Sequence, residues 1–107
     1  MISEDEVDKC LSWLRDNAEK DAQARAERLY MTEWIKVVLA QEQAQSKASS
    51  MAAAEMSARI SGPYVAALDA YKQAIYEDER RRFLRSAAET KVLAWQTQSA
   101  NERAHRV

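Results

Sequence analysis

One glycine, one proline, one cysteine and one histidine are all that this 107-residue chain contains of those four residue types. Each scarcity removes a class of structure or chemistry. Gly62 and Pro63 are adjacent, so the sequence has a single strong break. A sheet protein of this length needs repeated turns, with Gly, Pro, Asn and Asp at set positions. Long helices are the alternative, and the abundant Ala, Glu, Arg, Gln, Lys and Leu favour them. Cys10, alone, rules out an intrachain disulfide and suits a reducing compartment. With one cysteine and His105 the only histidine, the usual four-ligand metal site does not fit within one chain. Glu102 and His105 form an E-x-x-H pair, but helical di-iron sites need two such pairs and two further glutamates. No Gly-rich loop can hold a phosphate, and no serine sits in a nucleophile elbow. Apolar runs fall short of the ~18 residues of a membrane span. The opening residues are acidic, with no basic segment leading to an apolar stretch, so no secretion signal is expected. No catalytic residue, cofactor or metal is therefore assigned. The expectation is a cytoplasmic protein that is not an enzyme and has no membrane partner.

What is present reads as helix. Ser3 followed by Glu6 is a capping box, with Ile2 and Val7 at the spacing of a hydrophobic staple. Glu4, Asp5 and Glu6 suit the positive end of the helix dipole. The spacing predicts helices over 3–16, 17–45, 51–60 and 64–100 within one helical domain, 1–107, whose tail 101–107 frays. A break falls near Asp16-Asn17, where the apolar pattern weakens. Val7, Leu11, Leu14 and Ala18 mark the first face. Ala22, Ala26, Leu29, Tyr30, Trp34, Val37 and Val38 mark the second, which Met31, Ile35 and Leu39 broaden. Ser46 to Ser50 reads as a connection, and Gly62 as the left-handed residue after a helix, with Pro63 preventing continuation. The fold class is all-α: long antiparallel helices, a hairpin or bundle completed by oligomerisation.

Charge is unevenly placed. Residues 1–62 carry eight basic and eleven acidic side chains, and residues 63–107 carry eight basic and six acidic. Arg80, Arg81, Arg82, Arg85, Lys91, Arg103 and Arg106 are candidates for contact with nucleic acid or another partner. The bland alternative is a solvated face, and Glu77-Asp78-Glu79 directly before the arginines can neutralise them. Glu77 with Arg81, and Asp78 with Arg82, have the acid-before-base spacing that supports a helix. No helix-turn-helix or other reader signature precedes these residues. The tryptophans and tyrosines fall at helical spacing, where core or oligomer interface is the default. A last helix this long has too few partners in one chain, so its stripe Leu68, Tyr71, Ile75, Leu84, Val92 and Trp95 is expected to bind another copy.

The C-terminal text E-T-K-V-L-A-W-Q-T-Q-S-A-N-E-R, with Glu89, Val92, Trp95, Gln98, Ala100, Asn101 and Arg103, resembles a group of small helical proteins encoded by bacteriophages and prophages. In that group an acidic helix turn leads to a tryptophan and then to a basic finish. Tyr64 to Arg85, with Tyr71, Glu77, Glu79 and Arg82, is similar to the middle of those proteins. The resemblance implies a phage accessory protein of unassigned function in the bacterial host cell, of a kind encoded among recombination functions. Joined to the oligomerisation and the basic residues read above, it gives the expectation of a cytoplasmic oligomer that assists DNA recombination or replication through contacts with a phage or host protein, with weak contact to DNA. An inhibitor or adaptor of one host protein, and a minor structural phage component, are the alternatives. The resemblance supplies no catalytic or binding residues.

Overall fold

The computed structural model describes residues Met1–Arg106. They form three helices, α1 (Glu4–Gln45), α2 (Met51–Arg59) and α3 (Gly62–His105), and no strand among the described residues. The chain groups into two compact units: Met1–Ala22 with the chain from Glu79 onward, and Gln23–Asp78. The all-α fold of long antiparallel helices expected from composition is the fold observed.

α1 begins where the sequence places its cap. The Glu6 N–H donates to Ser3 Oγ at 3.2 Å, and the Val7 N–H to the Ser3 carbonyl at 3.1 Å. The helix then runs 42 residues without a break, which corrects the division expected at 16–17. Asn17 does not interrupt it, because its Nδ2 donates back to the Trp13 carbonyl at 2.9 Å, within the helix. Polar residues weaken the apolar pattern there without opening the backbone ladder. At the far end the Ser46 N–H closes on the Gln43 carbonyl, and Ser46 Oγ accepts from the Ala48 N–H.

Ser50 caps α2 by accepting the Ala53 N–H at 3.1 Å. Ser61 then joins α2 to α3. Its N–H and hydroxyl both donate to the Ala58 carbonyl, at 3.1 and 2.7 Å, and its Oγ accepts the Tyr64 N–H at 3.4 Å. Gly62 has no positive φ, so it is not the left-handed terminator expected. It opens α3 instead, with Pro63 in the first turn, where a missing N–H leaves no helix bond unmade. The tail expected to fray after residue 100 is helical through His105.

A set of buried and half-buried residues recurs at alternating steps of three and four along both long helices. In α1 the buried and half-buried set contains Val7, Cys10, Leu14, Asn17, Asp21, Ala24, Arg28, Met31, Ile35, Val38 and Glu42. In α3 it contains Tyr64, Ala67, Tyr71, Ala74, Asp78, Arg81, Arg85, Ala88, Val92, Trp95, Ser99 and Glu102. That spacing is the seam of a coiled coil. The buried apolar residues are Val7, Met31, Val38 and four alanines, Ala58, Ala67, Ala74 and Ala88. One seam buries one stripe of each long helix and leaves other large apolar side chains, Leu29, Tyr30, Phe83 and Leu93 among them, exposed. The face expected for the middle of α1 is accordingly displaced: Leu29, Tyr30, Trp34 and Val37 are exposed, and Met31, Ile35 and Val38 turn inward.

Candidate functional site

In the unit of Met1–Ala22 and the chain from Glu79 onward, the seam carries a buried carboxylate. Asp21, 8% exposed, offers Oδ1 to Arg81 at 3.3 Å and Oδ2 to Arg85 at 3.4 Å. Arg81 also donates to Asn17 Oδ1 at 3.5 Å. Each charge withdrawn from water is therefore met by an opposite one, the condition under which such burial is tolerated. Two of the arginines read as a contact surface thus hold the helices together. Arg82 reaches Glu79 at 3.7 Å, while Asp78 belongs to the other unit's pairing with Arg28; the expected Asp78–Arg82 pair is replaced by these two. Arg80 also has a partner.

The same unit is closed by an amide clasp. The Ile2 N–H donates to Gln98 Oε1 at 3.2 Å, and Gln98 Nε2 donates to the Ile2 carbonyl at 3.1 Å. Near it a polar recess of about 490 Å³ is lined by Glu4, Trp95, Ser99, Glu102, Arg103 and Arg106. Two carboxylates among its lining residues offset the two cations. A second groove, about 320 Å³, has Cys10, Trp13, Leu84, Ala87 and Ala88 along it, with Glu6, Lys9 and Lys91 also lining it. The seven predicted cations are thus dispersed: Arg81 and Arg85 meet at Asp21, Arg103 and Arg106 share the polar recess, and Lys91 stands by the second groove.

In the unit Gln23–Asp78, Arg28 pairs with Asp78 at 3.2 Å, and the Thr32 and Tyr71 hydroxyls hydrogen-bond at 3.1 Å. These contacts set α1 antiparallel to α3. A groove of about 410 Å³ lies between them, lined by Trp34, Val38, Gln41, Glu42 and Gln45 from α1 and by Pro63, Ala66, Ala67 and Ala70 from α3. Beside it the rings of Tyr30 and Trp34 stack, with centroids 6.3 Å apart and planes 11° apart. Sequence reasoning assigned these aromatics to a covered face. The signal that finds them outside is the three-and-four spacing continued through Asp21 and Arg28, which leaves Tyr30 and Trp34 beside the seam.

Of the residues expected to bind another copy, Tyr71, Val92 and Trp95 occupy seam positions and are half-buried, as is Ile75. Leu68 and Leu84 are exposed. α2 reverses the usual arrangement of a surface helix: Ala58 is buried while Met51, Met56 and the flanking Ile60 face solvent. Its two charged side chains pair with each other, Arg59 to Glu55 at 2.9 Å, and that bond raises the Arg59 pKa above its ordinary value.

Among the described residues no group of three or more His, Cys, Asp or Glu is placed to hold a metal ion. No described helix is long and apolar enough to cross a membrane. No protein family model, curated protein or solved structure matches the chain.

Proposed function

We propose that this chain acts by binding macromolecules, itself included, through the outer faces of its helices, and not by catalysis. One observation carries the reading: Tyr30, Met56, Ile60 and Phe83 stand more than half exposed on or beside the helices. Exposed apolar side chains in such number are commonly a partner surface. The C-terminal resemblance supports a setting for this binding: an oligomeric phage or prophage accessory protein in the bacterial cytoplasm, assisting DNA recombination or replication through protein contacts. Any direct contact with DNA would come from Arg80, Arg82, Arg103 and Arg106. Mobility shift at two salt concentrations tests that part. Binding that weakens as salt rises supports it, and no shift at low ionic strength removes it.

A second reading is an adaptor or inhibitor of one host protein. The engagement of Arg81 and Arg85 by Asp21 favours it, since that carboxylate offsets both cations. Affinity capture from host lysate with nuclease treatment separates the two. One stoichiometric host protein retained after nuclease supports the adaptor, whereas a phage annealing protein or nucleic acid supports the first reading.

A further inference from the structure

In the unit of Met1–Ala22 and the chain from Glu79 onward, several opposite charges close on each other: Asp21 with Arg81 and Arg85, Lys9 with Asp5, and Arg82 with Glu79. The polar recess near the Ile2–Gln98 clasp departs from that pattern. Glu4, Glu102, Arg103 and Arg106 all line it, yet among the described residues none of the four is in an ion pair. Its volume, about 490 Å³, lies within the roughly 300–1,000 Å³ of small-molecule sites. Trp95 is a half-buried wall of the recess, held by the seam with part of its ring still accessible. Trp95, Ser99, Glu102 and Arg106 follow one another at four, three and four residues, so they form one stripe of α3. Gln96 and Arg103, seven residues apart, lie on the stripe beside it.

Two cations and two carboxylates cancel, so net charge alone draws no polyanion into this recess. What fits is a single ligand with a use for each group. A guanidinium takes a phosphate through its fork of N–H donors. An indole stacks on a nucleobase. A carboxylate only accepts hydrogen bonds, so it favours a base edge that offers donors side by side. Guanine offers that edge, its ring N–H beside its amino group. Thymine flanks its one N–H with carbonyls, and adenine and cytosine set a ring-nitrogen acceptor beside the amino group. The acids, which weigh against simple attraction of phosphate, therefore select among bases.

We infer that this recess binds a guanine nucleotide, free or within a single strand: Trp95 stacks on the base, Glu4 or Glu102 accepts from its donor edge, and Arg103 and Arg106 hold the phosphate. The inference rests on the reading of Arg103 and Arg106 as nucleic-acid contacts and names the ligand they take there. Nuclear magnetic resonance titration of the full chain tests it. The probes are deoxyguanosine monophosphate, thymidine monophosphate, inorganic phosphate and a short thymine strand containing one guanine. The guanine nucleotide or the strand should move the Trp95 indole N–H resonance and leave those of Trp13 and Trp34 in place. The guanine nucleotide should bind roughly tenfold more tightly than the thymine one, as a two-bond base contact implies. Glu4→Gln with Glu102→Gln should erase that preference. Arg103→Gln with Arg106→Gln should weaken both nucleotides alike, by roughly tenfold or more. Unchanged helical circular dichroism would show that both double variants fold. A response to the free nucleotide alone, or to the strand alone, supports the recess and identifies the source. Equal affinity for both nucleotides and inorganic phosphate would overturn the inference. A strand that binds with the Trp95 resonance unmoved would overturn the recess and leave nucleic-acid binding standing. Neither strand nor nucleotide binding at low ionic strength would overturn both.

Discussion

Asp21 shows how one residue's burial changes its meaning. In the sequence it is one acid among many on a charged helix. In the fold it is shared between two guanidinium groups, each taking one carboxylate oxygen. Asp21→Ala should lower stability by about 3 kcal/mol, because Arg81, 16% exposed, loses its partner without regaining full hydration. Asp21→Asn, which keeps an acceptor, should cost less. Arg82→Ala, which removes an exposed pair with Glu79, should lie within about 0.5 kcal/mol of the parent. Urea denaturation would read all three, and an Asp21→Ala protein as stable as Arg82→Ala would contradict the account. Gln98 makes a comparable case with backbone partners. Gln98→Ala should cost roughly 1 kcal/mol and speed hydrogen exchange at the Ile2 N–H, while exchange near Tyr71 stays unchanged.

At the level of elements, the junction between α2 and α3 depends on Ser61 more than on the glycine beside it. Gly62 has no positive φ, and a Cβ built there meets nothing within 4 Å. Gly62→Ala should therefore stabilise by about 0.4–1 kcal/mol through the unfolded chain's lost freedom. Ser61→Ala removes the cap of α3 and a bond to the Ala58 carbonyl, and should cost about 1 kcal/mol. Thermal melts of the two variants should move in opposite directions. The same junction indicates what was readable in advance. Ser3, the Ser46–Ser50 connection and the late break were legible because caps and breaks are local chemistry. The seam was not, because Asn17, Asp21, Arg28, Asp78, Arg81 and Arg85 interrupt its apolar run. A search for hydrophobic stripes treats such residues as surface and slips to Ala22, Ala26 and Leu29. Only their partners on the other helix give them away, and a single sequence does not display partners.

For the molecule as a whole, burial along a single seam has a cost at the surface. Each long helix buries one stripe, so apolar side chains such as Leu29, Tyr30, Phe83 and Leu93 lie outside. If two copies associate, folding and association are linked, and stability depends on concentration. The melting temperature should rise by a few degrees for each tenfold increase in protein, since a tenfold change corresponds to about 1.4 kcal/mol. Calorimetry across two decades of concentration would test this, and an unchanging midpoint would count against a dimer.

The charged layer around Asp21 also acts as a vernier during folding. A seam of alanines alone could align in several ways, since sliding one helix by a heptad brings similar residues together. Sliding α3 one heptad one way sets the Asp21 carboxylate against Ala88 and Val92 in place of its two arginines. Sliding it the other way sets the carboxylate against Ala74 and a second acid, Asp78. Both misalignments strand a charge in a dry place, so a layer that adds little net stability discriminates among ways of closing the hairpin.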